Sequence, residues 1–198
     1  MPTVSWIDDL NERESLFRNH HVHGLPHRRA QIAVLWAIGL TDTEAAATLD
    51  IATGTVHNHG RRLRDQAVPR TMEPTRANAV AWAWFQTACC TASAFGAVIR
   101  DFVAAADRVR ILSSHNTDCL SHRQAAVLLL QAAGLPDVVA ARALAISESS
   151  LRSTAQAARE RVVPVELDPT RANATAWTHI HFGQVRTFAS AGSSHGNN

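Results

Sequence analysis

A shift of 95 positions lays this chain on itself without a gap. "LPHRRAQIAVLWAIGLTDTEAAATLDI" falls on "LSHRQAAVLLLQAAGLPDVVAARALAI", and "VPRTMEPTRANAVAW" falls on "VPVELDPTRANATAW". The register holds from Leu25–Phe85 to Leu120–Ile180, with roughly two residues in five identical. A gapless match of that length is not a chance event. Whatever one unit folds into, the chain must build it twice. The organisation that follows is an N-terminal helix and polar lead-in (1–24), a first unit (25–85), a helical connector (86–119), a second unit (120–185) and a flexible tail (186–198).

Each unit reads as four helices, so the fold class is all-α. In the first unit a helix opens at Leu25-Pro26 and runs to about Ile38, where Gly39 can end it. Thr41 and Glu44 have capping-box spacing and start a short helix that ends near Leu49. A tight turn at Asp50-Ile51 leads to a third helix from about Thr53 to Gln66. Glu73-Pro74 and Asp168-Pro169 read as an acidic N-cap followed by proline at the first helical position, opening the fourth helix. A short helix, a tight turn and a longer polar helix, braced on both sides, is the helix-turn-helix arrangement that reads DNA.

The long polar helix carries the chemistry. In "ATGTVHNHGRRLR", residues Val56, His59/Gly60, Leu63 and Ala67 share one stripe and should face inward. Gly54, His57, Asn58, Arg61, Arg62 and Asp65 fall opposite, with Arg64 at the flank. Arginine can pair bidentately with guanine and asparagine with adenine in a major groove. Thr53 and Thr55 sit at the helix N-terminus, where hydroxyls and backbone amides suit phosphate. The triplet His57-Asn58-His59 is not a metal or nuclease site. Residues two apart on a helix point roughly 200° away from each other and cannot share an ion. In the second unit Leu151, Thr154/Ala155, Ala158 and Val162 repeat the inward stripe. Ser149, Ser150, Arg152, Ser153 and Gln156, flanked by Arg159, are the matching candidates, with Glu148 and Glu160 weakening phosphate attraction.

Other features are quieter. The formal net charge is only +2, so nucleic-acid binding must come from a local patch. All 19 basic residues are arginine, and alanine is abundant, as in proteins of GC-rich bacterial or phage genomes. Cys89, Cys90 and Cys119 are too irregular for a disulfide framework or zinc ribbon. His20, His21, His23 and His27 form a polar lead-in interrupted by Gly24 and Pro26 rather than a metal site. No cofactor and no catalytic site are expected. The opening "MPTVSWIDDLNERES" is amphipathic and acidic, unlike a secretory leader, and no apolar run is long enough for a membrane span. The expectation is a cytoplasmic, nucleoid-associated protein.

Ser5 and Asp8 can cap the N-terminal helix, whose apolar side is Trp6, Ile7, Leu10 and Phe17. It should dock on a unit or another subunit. Phe85 to Leu112 reads as one long helix or two broken near Gly96. Trp82 and Trp177 occupy equivalent places and should be core; His179 and His181 should lie at the edge of the last helix.

These motifs resemble the helix-turn-helix domain of LuxR/GerE-type transcription regulators, across about 120 residues of the two units. The first unit matches the pattern at Leu25, Arg28, Leu35, Ala37, Gly39, Leu40, Glu44, Ala45, Leu49, Ile51, Thr55, Val56, His59, Arg76, Ala79 and Val80. The second matches at Leu120, Ser121, Arg123, Val127, Leu128, Ala132, Gly134 and Leu135. Arg29 and Gln124 stand where the family has an acidic residue, and Thr154 where it has histidine. The resemblance implies a sequence-specific, duplex-DNA-binding transcriptional regulator without enzymatic activity. Such domains usually pair through their fourth helices, and here the two copies could pair within one chain. RNA polymerase and a homodimer are further partners it allows. A rival reading, from a similarity to sigma-factor region 4, is an adaptor or anti-repressor acting through protein contacts.

Overall fold

The structure is a computed structural model and describes residues 6–89, 102–117 and 120–192. Ser5, Cys90, Gly96 and Cys119, and with them the Ser5–Asp8 cap, two of the three cysteines and the break near Gly96, lie outside those residues. Among the described residues there are ten helices and no strand. They are α1 (Trp6–Asn19), α2 (His27–Ala37), α3 (Asp42–Leu49), α4 (Thr53–Ala67), α5 (Arg76–Cys89), α6 (Val103–Ser114), α7 (His122–Ala132), α8 (Asp137–Ala143), α9 (Glu148–Val162) and α10 (Arg171–Gly192). The fold is all-α.

Helix α2 is the centre of the first unit. Gln31 through Leu40 are all buried, as expected of a helix apolar around its whole circumference. It ends in a Schellman turn: Gly39 takes φ +91, its N–H donates to the Trp36 carbonyl, and the Leu40 N–H donates to the Leu35 carbonyl. Gly134 (φ +81) ends α7 in the same way. Helix α3 opens with the full capping box, Thr41 Oγ1 accepting from the Glu44 N–H and Glu44 Oε2 accepting from the Thr41 N–H.

Two sequence expectations need correction. Glu73 and Asp168 are not the N-caps of the fourth helices. Thr75 and Thr170 are: their hydroxyls accept from the backbone N–H of Asn78 and Asn173, each at 3.2 Å. The Glu73 and Asp168 carbonyls instead accept from the Asn78 and Asn173 side-chain amides, 2.7 and 2.9 Å away. A threonine hydroxyl three residues before a free N–H caps better than a carboxylate two residues further back. The last helix also runs on to Gly192, into the segment read as a flexible tail. Nothing from 186 to 191 is proline or glycine, so no residue stops it.

The repeat reaches beyond the window where sequence identity reveals it. Helices α1 and α6 are equivalent at the same 95-residue offset, with Leu10 on Ala105, Arg13 on Arg108, Phe17 on Leu112 and His20 on His115. Both helices straddle the units. Phe17 is in the core of the first unit while Leu10, 5% exposed, is in the core of the second with Val127 and Leu130. Conversely, Ala105 sits in the first core and Leu112 in the second.

Arg13 donates to the Ala133 and Gly134 carbonyls and to Asn78 Oδ1. Arg108 donates to the Gly39 carbonyl, Asn173 Oδ1 and the Glu44 carboxylate. Between the units Trp84 of α5 stacks on His179 of α10, with ring centres 5.1 Å apart, and 84 and 179 are again equivalent positions.

Candidate nucleic-acid interface

Helix α4 is set in place by a turn and by a tryptophan. Asp50 ends α3 in the left-handed region at φ +51, and Ala145 does the same at φ +53 in the second unit. Aspartate tolerates that region better than most side chains. Val56, Gly60, Leu63 and Ala67 then face inward and are buried. Trp36 presses on α4 so closely that a Cβ at Gly60 would lie 2.3 Å from its Cη2. The same Trp36 donates to Asp42 Oδ1 at 2.9 Å. Arg76, opening α5, donates to that oxygen at 2.8 Å and to the Leu40 carbonyl, with its guanidinium 4.6 Å from the Trp36 ring centre. So the start of α5, the start of α3 and the middle of α4 are tied at one point.

Arg171, Asp137 and the Leu135 carbonyl repeat this tie, with Gln131 in place of Trp36 and Ala155 in place of Gly60. Burial lowers the pKa of both guanidiniums and the neighbouring aspartate opposes it; arginine stays charged throughout.

The C-terminal end of each polar helix is held too. His20 Nε2 lies 3.0 Å from the Gln66 carbonyl, and His115 Nε2 lies 3.0 Å from the Arg161 carbonyl. The carbonyls of these same histidines accept from Trp82 and Trp177 Nε1, at 2.9 and 2.7 Å. Both tryptophans are core residues. His179 and His181 are half-buried, each with its ring 3.0 Å from a carbonyl, of Ala132 and Leu112.

On the outward side of α4, Thr53, Thr55, His57, Asn58, Arg61 and Arg62 are exposed, and Arg64 is half-buried at the flank. Asn58, Arg61 and Arg62 make no hydrogen bond or ion pair with another described side chain. His57 Nδ1 lies 4.0 Å from Asp42 Oδ2 and its side chain is 68% exposed. No acidic residue stands in the first turn of α4, and Ala52 offers no side-chain cap.

Helix α9 presents Ser149, Ser150, Arg152, Ser153 and Gln156, all exposed, with Arg159 half-buried. Its side chains are engaged at home. Ser147 Oγ accepts from the Ser150 N–H and lies within hydrogen-bond reach of the Ser149 and Ser150 hydroxyls. Arg152 pairs with Glu148 at 2.8 Å, Gln156 donates to Glu160 at 2.6 Å, and Arg159 Nε donates to the Ala155 carbonyl.

All thirteen sequence candidates therefore lie on two equivalent helices. What sequence reading missed is the support: Arg13, Arg108, His20 and His115. The only signal was that an arginine and a histidine recur at the repeat spacing where little else does. Among the described residues no three His, Cys, Asp or Glu side chains come together as a metal site, and no helix is long and apolar enough to cross a membrane. Comparison with protein-family models, with curated proteins and with solved structures yields no match to this chain.

Proposed function

We propose that the chain is a sequence-specific, double-stranded-DNA-binding transcriptional regulator of LuxR/GerE type that offers two recognition helices, α4 and α9, from one molecule. The observation that carries this is the outward face of α4. Asn58, Arg61 and Arg62 are exposed and uncommitted, on a helix whose opposite face is fully packed. Their donor and acceptor groups match guanine and adenine edges in the major groove. Longer-range steering is weak at net charge +2, so affinity must come from this local patch.

The test is titration of short duplexes at several salt concentrations. The expected result is a steep fall of affinity with salt, as phosphate contacts release counterions. Asn58→Ala or Arg61→Ala should each lose roughly 1–3 kcal/mol on the preferred site and flatten base preference. Equal binding of the wild type and both variants across a sequence panel would refute base reading by these side chains.

A protein-contact role has its own specific support in the second unit. Val138 and Val139 on α8 are exposed where the first unit carries Thr43 and Glu44, and the polar groups of α9 are largely paired within that helix. Polymerase or another regulator would meet the molecule there. A variant with both valines changed to threonine should then keep duplex binding and lose that contact.

A further inference from the structure

The two recognition helices share a single residue in fifteen aligned positions, Arg64 with Arg159. The helices that follow share seven of eleven, over Thr75–Phe85 and Thr170–Ile180. Inward positions of α4 and α9 stay small or apolar and buried: Val56 with Leu151, Gly60 with Ala155, Leu63 with Ala158, Ala67 with Val162. The difference in polar chemistry between α4 and α9 therefore lies on the outward face. Asn58 is matched by Ser153, Arg61 by Gln156 and Arg62 by Ala157. Most of the frame that aims the two helices recurs in both units, with Gln131 and Ala155 in place of Trp36 and Gly60. Arg13 and Arg108, Arg76 and Arg171, Trp82 and Trp177, and His20 and His115 make equivalent bonds.

From a symmetric frame with unlike faces we propose that one chain reads a non-palindromic duplex with two different half-sites. This rests on the duplex-binding reading above and specifies its ligand. Helix α4 takes the stronger half, with guanine facing Arg61 or Arg62 and adenine facing Asn58, because those groups are free to turn to base edges. Helix α9 takes the weaker half. Arg152 and Gln156 must first leave Glu148 and Glu160, whose carboxylates would repel backbone phosphates. An inverted repeat, the natural site of a symmetric dimer, would waste the second half.

Selection of bound sites from random duplexes with the full chain tests this, followed by binding of Arg61→Ala and Arg152→Ala to the selected site. Both residues are exposed, so neither change threatens the fold. The expected product is two unlike half-sites, centred about 10 base pairs apart, with most of the sequence preference in one. Arg61→Ala should weaken binding about 5- to 150-fold and erase preference in the strong half. Arg152→Ala should touch only the other half and weaken binding less. An inverted repeat with equal halves, or equal losses from the two variants, overturns the proposal and leaves duplex binding intact. Retained preference in both halves after Arg152→Ala overturns it as well, by removing α9 as a reader. Failure to bind any duplex at low salt removes the underlying reading and the proposal with it.

Discussion

Gly60 has no room for a methyl group. A Cβ there would sit 2.3 and 2.6 Å from two ring carbons of Trp36, a side chain 2% exposed and held by its own hydrogen bond to Asp42. The ring cannot swing away without breaking that bond. Gly60→Ala is expected to destabilise the chain by about 1–3 kcal/mol, the usual range for overpacking a core. Gly54 lies on the same helix with nothing within 4 Å of a built Cβ. Gly54→Ala should stabilise by about 0.5–1 kcal/mol, since alanine loses less backbone freedom in a helix. Urea unfolding of the two variants should show shifts of opposite sign. The second unit makes the same point with different residues: Ala155 fits where Gln131 replaces Trp36. Spacing places Gly60 on the inward stripe of α4, but the reason it must be glycine is a tryptophan 24 positions away. No local pattern reports that.

At the scale of elements, period and punctuation made most helices legible. Gly39 and Gly134 stop α2 and α7, Thr41 starts α3, and the apolar stripe of α4 faces inward as its spacing requires. The straps α1 and α6 were read as separate pieces because their alignment keeps little beyond an arginine and a histidine. Those two residues act largely through backbone carbonyls, which leave no trace in a sequence. Arg13→Ala and Arg108→Ala should each cost about 1–3 kcal/mol, the range for charged hydrogen bonds left with part-buried partners. Arg108 also bears on pH. Burial pushes the Glu44 carboxyl up, but the Thr41 N–H and hydroxyl together with Arg108 outweigh it and hold the pKa below its ordinary value near 4.5. A depressed carboxylate favours folding above its unfolded pKa, and that contribution is lost as pH falls through the folded one. Glu44→Gln should therefore be less stable than the wild type at neutral pH. The gap should narrow as pH falls through the folded pKa, which lies below 4.5, and close once the carboxyl is protonated in both states. A constant gap across pH would mean that the Glu44 charge takes no part.

At the scale of the whole molecule, the two units cannot be separated without opening both cores. Leu10 belongs by chain order to the strap of the first unit and by packing to the core of the second. Ala105 is exchanged in the opposite direction. Arg13 and Arg108 cross the same boundary, and Trp84 meets His179 between the fourth helices. Two beads on a linker would melt independently. A reciprocal exchange of this kind should melt as one, with calorimetric and van't Hoff enthalpies equal. Leu10→Ala sharpens the test. Removing a buried leucine side chain costs about 2–5 kcal/mol. In independent units it would lower one transition and leave the other in place. In this fold the single transition should move as a whole, and signals from Trp36 in the first core and Trp177 in the second should shift together. A split into two transitions would show that the boundary contacts are too weak to couple the cores. Helices α4 and α9 would then have no fixed spacing, and the proposed reading of one duplex by both would fail.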